Sequence, residues 1–439
     1  MTVANPPSAA LDLAQERDRL LARYAFVRAR TESLAAPLSP EDQQLQSMPE
    51  ASPTKWHRAH TTWFFEEFVL APAGASAVDS RYAHLFNSYY EAVGARHPRA
   101  KRGLLSRPGA AEISDYRRLI DEKVVRLLSR ADAKSLARIL PVVELGVAHE
   151  EQHQELLLTD ILHAFSESPL RPAYRAESPS LANSPPREPV PIHYLASEGG
   201  LLQIGAAADA GFAFDNERPR HKRWVDPFEL SDRLVSVREL KAFIEAGGYR
   251  TPSLWLAEGF DFVRAHALTS PLYSKYEDGR LALFTLAGTR VPADDEPVAH
   301  ISYYEADAIA RYLGARLPTE AEWETFAEGR AVRGNFAGSE VFHPLPAPAA
   351  SPEVREVGQL FGDAWEWTQS SYEPYPGYQA PSGALGEYNG KFMVSQLVLR
   401  GGSCLTPDGH LRASYRNFWP PATRFQMAGI RLARGGSSR

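Results

Sequence analysis

The chain has 439 residues, of which 44% are hydrophobic and 23% are charged, and its formal net charge is −6. This balance is ordinary for a globular protein of two or three domains, and the negative charge without a long basic run disfavours a nucleic-acid partner. The single cysteine, Cys404, excludes a disulfide framework or a thiolate cluster within the chain. Any metal must therefore be held by histidines and carboxylates.

No stretch of the sequence predicts a secretory signal or a membrane span. The N-terminus lacks a basic region followed by an apolar run, and nothing approaches the ~18 apolar residues of a spanning helix. We therefore expect a cytoplasmic protein with no membrane and no nucleic-acid partner. The sequence does not decide the oligomeric state.

Helical periodicity dominates the N-terminal part of the chain. Apolar residues recur at helical spacing over residues 10–35, 113–132 and 138–165. A fourth helix is expected from the apolar run after Pro53, with Ser52 as its N-cap. Four helices joined by modest loops predict a bundle, in which sites are built from inward side chains on facing helices.

The composition changes after the predicted bundle, which we place at residues 1–165. Residues 166–191 are rich in proline and serine, which predicts a linker or an extended segment. Residues 192–439 contain short segments with frequent glycine, proline and aromatic residues, which predicts a mixed α+β domain. We expect short helices at residues 302–313 and 319–326, and strands in VLRGGS and AGIRLAR.

The segment HEEQH, residues 149–153, places two histidines at positions i and i+4, which share one face of a helix. It matches the H-E-x-x-H signature of zinc metalloproteases. The metzincin form needs glycine and histidine seven and ten residues after the first histidine, where this chain has Leu156 and Thr159. The protease interpretation is therefore weak. Glu150, the general base of such a protease, is expected to point away from the ligand face.

A second pair of histidines lies on the helix predicted after Pro53. His57 and His60 stand at positions i and i+3, so either can face the core. The aromatic residues of WHRAHTTWFF flank His60, which favours His60 as the buried histidine. The alternative is a packed aromatic helix with incidental histidines.

Three neutral imidazoles, from His60, His149 and His153, would leave a divalent metal with open coordination positions. Zinc in such a site activates a water molecule, whereas Fe(II) leaves room for dioxygen and a substrate together. The ligand type alone does not choose between the two metals.

Several motifs together resemble a known family. WHRAHTTWFFE and HEEQHQELLLTDI resemble the DinB-like helical domain of ergothioneine-type sulfoxide synthases. Residues 215–249 and 297–327, with GDAWEWT, RGGS and GIRLAR, resemble the formylglycine-generating-enzyme domain of these synthases. The resemblance implies an α+β fold of two domains. A DinB-like four-helix bundle carries the metal ligands, and a mixed α+β domain of the formylglycine-generating-enzyme type, with a C-type-lectin-like core, follows it.

The resemblance also implies a reaction. In the family, Fe(II) and O₂ join a cysteine-type thiol to C2 of the imidazole of hercynine (Nα-trimethylhistidine), and the sulfur becomes a sulfoxide. Carried over residue by residue, the iron ligands are His60, His149 and His153. His57 occupies a position where the family does not require histidine.

The segment FNSYYEAVGARHPRAKRGLLSRP resembles the branch of the family that has a Tyr-Tyr pair. Tyr89 and Tyr90 are therefore the candidate proton donors. A phenol that delivers a proton early would favour formation of the carbon–sulfur bond over simple oxidation of the thiol. Packing in a loop is the alternative role for this pair, and Tyr375 is the alternative phenol.

Hercynine binding is expected from an asparagine, from aromatic faces and from a glutamine. The resemblance implies that Asn417 and its aromatic neighbours meet the substrate, as does Gln152, which precedes the last histidine ligand. Phe418 and Trp419 would attract the trimethylammonium group by cation–π interaction, worth ~1–2 kcal/mol when desolvated. An aromatic cluster of the core is the alternative interpretation.

One or two arginines are expected to hold the carboxylate of the thiol donor, because arginine grips carboxylates with two parallel hydrogen bonds. The candidates are Arg96, Arg99, Arg102 and Arg416. The Tyr-Tyr branch suggests free cysteine as the donor, and γ-glutamylcysteine is the alternative.

Three other functions compete with this interpretation. The formylglycine-generating enzyme needs a pair of thiolates, and Cys404 alone cannot supply one. The 5-histidylcysteine sulfoxide synthases of the ovothiol pathway usually carry a C-terminal methyltransferase domain, which this sequence is not expected to contain. A catalytically inactive binding scaffold would keep the fold and lose the metal.

Overall fold

The computed structural model describes residues 9–176, 190–348 and 356–436. The chain divides into two units, Met1–Ala164 with Gly383–Leu385, and Phe165–Ser382 with Gly386–Arg439. Half of the predicted linker, residues 177–189, lies outside the described residues. Within the described ranges, no helix is both long enough and apolar enough to cross a bilayer.

The first unit is helical, and its long helices confirm the predicted ones. The helices are α1 (Ala9–Ala35), α2 (Thr54–Phe65), α3 (Tyr82–Phe86), α4 (Ala110–Arg130) and α5 (Ala133–Glu167). Helix α2 runs on into a π-helical turn at Glu66–Leu70. Apolar side chains from α1, the end of α2, α4 and α5 form one buried cluster, which includes Leu20, Tyr24, Phe65, Ile120, Leu128 and Val143. Full burial of each such side chain contributes about 1.5–3 kcal/mol.

The start of α2 differs from the prediction. Pro53 is the N-cap, and no side chain caps this end. The hydroxyl of Ser52 instead accepts a hydrogen bond from Nη1 of Arg102 at 2.9 Å, and its backbone N–H donates to Asp160 at 2.7 Å. The prediction of Ser52 as N-cap was wrong because its hydroxyl serves a buried guanidinium from a distant part of the chain.

The second unit mixes short strands with short helices. Its strands are β1 (Tyr194–Ser197), β2 (Gly200–Ile204), β3 (His221–Val225), β4 (Phe228–Ser231), β5 (Ser274–Glu277), β6 (Arg280–Thr285), β7 (Gly288–Arg290), β8 (Trp365–Ser371), β9 (Leu397–Arg400), β10 (Asn417–Trp419), β11 (Ala428–Gly429) and β12 (Ala433–Gly435). Its helices are α6 (Val237–Glu245), α7 (Ala257–Ala265), α8 (Tyr303–Tyr312) and α9 (Glu320–Ala327). The fold is therefore α+β in two units, as predicted.

The sheets of the second unit are small. The strand orders are β1-β4-β12, β10-β9-β8-β11, β2-β3 and β5-β6-β7. The predicted short helices are confirmed as α8 and α9, and each begins with a hydroxyl cap, from Ser302 and Thr319. The strands predicted in VLRGGS and AGIRLAR are also present, as β9 in the first segment and as β11 and β12 in the second. The two strands of AGIRLAR join different sheets, β11 beside β8 and β12 beside β4.

Candidate metal centre

The structure brings three histidines of the helical unit together. His60 comes from α2, and His149 and His153 come from α5. One ligand atom from each lies within 4.8 Å of the other two, and Nε2 of His60 is 3.1 Å from Nε2 of His149. Within the described residues this is the one histidine–carboxylate–cysteine group compact enough to hold a metal. The three histidines that the sequence predicts as ligands therefore lie close enough together to bind one metal ion.

The close approach of α2 and α5 makes this geometry possible. Gly146 lies on α5, one turn before His149. A Cβ atom at position 146 would lie 2.6 Å from the ring of Phe65 and 2.9 Å from the ring of Phe64. Both distances are shorter than non-bonded carbon atoms tolerate, so only glycine lets these two phenylalanines pack directly on the α5 backbone.

The protonation of the three rings suits a metal. Burial lowers the pKa of His149 to about 3 and holds the pKa of His60 and of His153 well below the usual value. All three are therefore neutral near pH 7. Nδ1 of His60 lies 2.6 Å from the carbonyl oxygen of Phe86, so Nδ1 carries the proton and Nε2 keeps its lone pair. Neutral imidazole nitrogens fit iron, zinc, copper or nickel.

Both histidines of α2 are buried, which corrects the expectation that His60 alone would be. His57 is 3% exposed and His60 is 0% exposed, because α2 is surrounded by protein along its whole length. The two rings have different partners. Nδ1 of His57 lies 2.8 Å from Nδ1 of His153, and Nε2 lies 2.9 Å from the carboxylate of Asp160. Both nitrogens of His57 are thus engaged, which leaves His60 as the ligand from α2.

Aromatic rings enclose the histidine cluster. Trp56 stacks on His60 with ring centres 4.6 Å apart and planes 12° apart, and Trp63 stacks at 5.8 Å. Phe64 lies 4.8 Å from His149. The indole N–H of Trp63 is buried and has no hydrogen-bond acceptor among the described residues. Buried donors without an acceptor are uncommon in folded proteins, so this N–H is available to a bound ligand.

The tyrosine pair lies against the same aromatic rings. The hydroxyls of Tyr89 and Tyr90 are 3.3 Å apart, and Tyr90 is fully buried. The ring of Tyr90 is 6.0 Å from Trp63 and 6.5 Å from Phe64, which pack in turn on the histidines. The backbone N–H of Tyr90 donates to the side chain of Asn87 at 3.0 Å, which fixes the loop. Tyr90 therefore lies in the aromatic layer that packs on the histidine cluster, and Tyr89 lies beside Tyr90.

The three arginines after the tyrosine pair have different surroundings. Arg96 and Arg99 are exposed, the first paired with Glu91 and the second bonded to a backbone carbonyl. Arg102 is 2% exposed, and its guanidinium lies 3.4 Å from the centre of the Trp56 ring. No carboxylate pairs with it in the described part of the chain. Burial, followed by the neighbouring Arg99, lowers the pKa of Arg102 to about 8, and the charge of the Asp160 carboxylate acts in the opposite direction.

Gln152 is half-buried on α5 beside His153. It is the one predicted hercynine contact that lies in the helical unit.

The other predicted substrate residues lie in the second unit, where β10 carries Asn417, Phe418 and Trp419. Phe418 stacks on Tyr372 with ring centres 4.0 Å apart. The Trp419 indole N–H is buried without a hydrogen-bond acceptor among the residues described. The rings of this strand pack on other aromatic residues, Phe418 on Tyr372 and Phe392 and Trp419 on Phe425.

Arg416 and Tyr375, also in the second unit, already have strong partners. The Arg416 guanidinium donates two hydrogen bonds to Glu320, each 3.0 Å long, and it lies 4.0 Å from the Tyr375 ring centre. Burial raises the pKa of Tyr375, whose hydroxyl lies 3.3 Å from Nη2 of Arg400. A role for Arg416 in binding the donor carboxylate would require its pair with Glu320 to open.

The sequence interpretation missed Asp160 and the importance of Glu150. Asp160 lies seven residues after His153, two helical turns on the same face, and that spacing was the available signal. Glu150 points away from the ligands, as expected, but it is fully buried between Arg28 and Arg117, each 2.8 Å away. Burial raises its pKa, but the two arginines outweigh this and lower the pKa of Glu150 to about 2.

Comparisons with known proteins cover both units. The family model for the sulfatase-modifying factor enzyme 1-like domain matches residues 181–351 and 333–435. The chain is 32% identical to the hercynine oxygenase of Mycolicibacterium thermoresistibile over 414 residues, 88% of each chain. It is 31% identical to that of Mycobacterium tuberculosis, over 95% of this chain and 98% of the relative. Ergothioneine biosynthesis protein 1 of Schizosaccharomyces pombe is 29% identical over 51% of this chain and 28% of its own length.

Proposed function

The chain belongs to the hercynine oxygenase family, and on that premise we propose that it joins a cysteine-type thiol to C2 of the hercynine imidazole with O₂. The product is a sulfoxide, an intermediate of ergothioneine biosynthesis. The reaction removes one C–H and one S–H hydrogen, forms a C–S bond, places one oxygen atom on sulfur and releases the other as water. The observation that carries this proposal is the buried cluster of three neutral histidines in a chain that matches these oxidoreductases along most of its length.

His60, His149 and His153 would hold Fe(II) as the cofactor, with two of these residues on α5 and one on α2. When bound, Fe(II) supplies the activation of O₂ that this oxidation requires. The protein contributes a dry site, because the aromatic rings of α2 and the buried tyrosine keep water from the reacting groups. Neutral ligands leave the site with a net positive charge once the metal is bound, which favours the donor as a thiolate.

The tyrosine pair would supply the proton. The hydroxyls of Tyr89 and Tyr90 are close enough to exchange a proton. We propose that one of them delivers this proton to the oxygen atom that is released as water. A proton delivered at that stage commits the reaction to carbon–sulfur bond formation. Without it, oxidation of the thiol alone becomes the competing outcome.

Substrate binding is shared among several side chains in this proposal. Gln152 and Asn417 would orient the hercynine imidazole, and Phe418 and Trp419 would face its trimethylammonium group. The basic segment that contains Arg96, Arg99 and Arg102 would attract the carboxylate of the donor. We propose cysteine as the thiol donor that these arginines bind, and γ-glutamylcysteine is the alternative donor. The cytoplasmic location expected from the sequence stays a prediction.

Oxygen uptake by the protein loaded with one equivalent of Fe(II) tests the proposal. We expect uptake to require hercynine and cysteine together, and to be lost in His60→Ala and His149→Ala. Zinc-loaded protein is the matched control and should consume no oxygen. Uptake with histidine in place of hercynine at equal kcat/KM would favour the 5-histidylcysteine sulfoxide synthase activity instead. Protein that binds no iron and consumes no oxygen would leave the inactive scaffold as the better explanation.

A further inference from the structure

A buried chain of hydrogen bonds ends on one histidine of the metal site. It runs from Asp160 through His57 to His153, with distances of 2.9 Å and 2.8 Å. The backbone N–H of Ser52 donates to the same carboxylate oxygen at 2.7 Å. Asp160 is 7% exposed and His57 is 3% exposed, so protein partners rather than solvent determine where the protons lie.

If both imidazole rings are neutral and the carboxylate is ionised, only one placement of the ring protons satisfies every hydrogen bond between Asp160, His57 and His153. A carboxylate only accepts, so Nε2 of His57 must carry the proton that faces Asp160. Nδ1 of the same neutral ring then has a lone pair and must accept. The contact between His57 and His153 therefore needs a proton on Nδ1 of His153. In a neutral His153 ring, this leaves Nε2 with the free lone pair.

We propose that His57 and Asp160 are positioning residues that hold His153 as the Nδ1–H tautomer and so aim its Nε2 lone pair at the metal. This inference rests on the proposed iron centre. The opposite tautomer of His153 would carry a proton on Nε2 and could not bind a metal through that atom. Neither nitrogen of His57 is left for the metal, because one faces Asp160 and the other faces His153.

The pair of His57 and Asp160 also gives His153 a different basicity from that of His60. Nδ1 of His60 donates to a backbone carbonyl, that of Phe86, which is neutral. Nδ1 of His153 donates instead to an imidazole that is itself bonded to a carboxylate. A carboxylate behind a ligand makes that ligand more basic and holds its ring in place, and loss of such a partner typically weakens metal binding about 10–100-fold. His153 is thus expected to be a stronger electron donor than His60.

The tautomers can be observed directly in the full-length protein before any metal is added. Histidine labelled with ¹⁵N reports, through long-range ¹H–¹⁵N correlation spectra, which ring nitrogen carries the proton. We expect Nδ1–H for His153 and Nε2–H for His57, with assignments made from single-histidine variants. An Nε2–H tautomer for His153 in the wild-type protein would overturn the proposal, and the spectrum that decides it is that of the wild-type protein.

Metal affinity gives a second, independent readout. In anaerobic competition titrations with Co(II), His57→Phe should bind about 10–100-fold more weakly than wild type, with an altered ligand-field spectrum. His57→Asn retains an acceptor close to the position of Nδ1 and should recover part of the affinity. His163→Phe is the matched control, since His163 lies on α5 and bonds Ser47 rather than a ligand. Equal affinity and spectra for His57→Phe and wild type would overturn the proposal.

The two proposals fail differently. If wild-type protein binds neither Co(II) nor Fe(II), the iron centre is wrong, while the tautomer spectra still decide the arrangement of His57 and His153. If wild type and the His57 variants bind metal equally well, the proposal of an iron centre is retained and the positioning role of His57 and Asp160 is rejected.

Discussion

At the scale of single residues, the candidate metal site consists of three histidine rings with apolar surroundings. The histidines are neutral because burial disfavours their charged form, and the tyrosine hydroxyls face each other in the same aromatic wall. Arg102 is a buried guanidinium without a direct ion pair among the described residues, and burial lowers its pKa. Each of these features is costly to keep unless a ligand makes use of it.

The tyrosine pair leads to the first prediction. Tyr89→Phe or Tyr90→Phe removes a phenol, and the variant that removes the proton donor should lose about 10²-fold or more of the rate of sulfoxide formation. Cysteine sulfinic acid should rise in its place, which mass spectrometry of the products measures. Tyr82→Phe is the control, because Tyr82 packs on Phe86 and Tyr116. An unchanged product ratio in both tyrosine variants would remove the pair from the mechanism.

Glu150 leads to a second prediction, about stability rather than chemistry. Glu150→Gln removes the buried carboxylate that Arg28 and Arg117 share, while Arg28 keeps Asp121 and Arg117 keeps Glu32. Breaking a buried pair costs about 3–5 kcal/mol, and we expect a loss towards the lower end of that range because each arginine keeps one carboxylate. Denaturant unfolding should show this loss, whereas turnover per bound iron should stay near wild type. The exposed pair of Arg118 and Glu122 provides the control, and Glu122→Gln should change the free energy of unfolding by less than about 1 kcal/mol. A stable, iron-loaded and inactive Glu150→Gln would make Glu150 catalytic.

The residue roles that could be predicted from sequence were the local ones. The pairing of His149 with His153 follows from helical spacing alone. The choice between His57 and His60 could not be made that way, because it depends on Asp160, which lies 103 residues from His57 along the chain. The burial of Arg102 was equally hidden, since its partners Trp56 and Ser52 come from another segment.

At the scale of elements, the site is a property of two helices in close contact. Periodicity located α5, and the apolar run after Pro53 located α2, every residue of which is buried. The sequence pattern could not show the distance between α2 and α5, which depends on Gly146 where the two helices meet. It also failed at the start of α2, where Ser52 bonds to Arg102 rather than to the helix end.

Gly146→Ala tests the importance of that contact. In an open helix this change stabilises a protein by roughly 0.5–1 kcal/mol. Here the new methyl group would lie 2.6 Å from the Phe65 ring, so we expect lower thermal stability and weaker Co(II) binding. Adding Phe65→Leu should relieve the clash and restore part of the metal affinity. A Gly146→Ala protein with unchanged affinity and higher stability would show that the helices do not need this close approach.

At the scale of the whole molecule, each unit contains buried ion pairs that depend on pH. In the second unit, Glu296 lies 2.8 Å from His343 and 2.6 Å from Arg290. Burial raises its pKa, but the hydrogen bond with His343 and the charges of His343 and Arg290 outweigh this. The net result lowers the pKa of Glu296 from 4.5 to about 2. Such a carboxylate stabilises the folded state above the pKa that it has in the unfolded chain.

The acid sensitivity of the second unit follows from that shift. The contribution of Glu296, about 3 kcal/mol, should be complete above pH 4.5 and should disappear as the pH falls towards 2. Urea unfolding of the second-unit transition across this range should show a shallower pH dependence in Glu296→Gln than in wild type. Glu277→Gln, at an exposed pair with Lys275, is the control and should retain the wild-type slope. Equal slopes for wild type and Glu296→Gln would contradict the prediction.

Mass spectrometry of the reaction product tests the central claim most directly. Protein loaded anaerobically with Fe(II) is given hercynine, cysteine and O₂, and the same protein with His149→Ala is the control. Our account predicts hercynylcysteine sulfoxide from wild type and none from the variant. Cysteine sulfinic acid as the sole product, with hercynine unconsumed, would contradict the assignment of the substrate, and sulfoxide formation by His149→Ala would contradict the assignment of the metal centre.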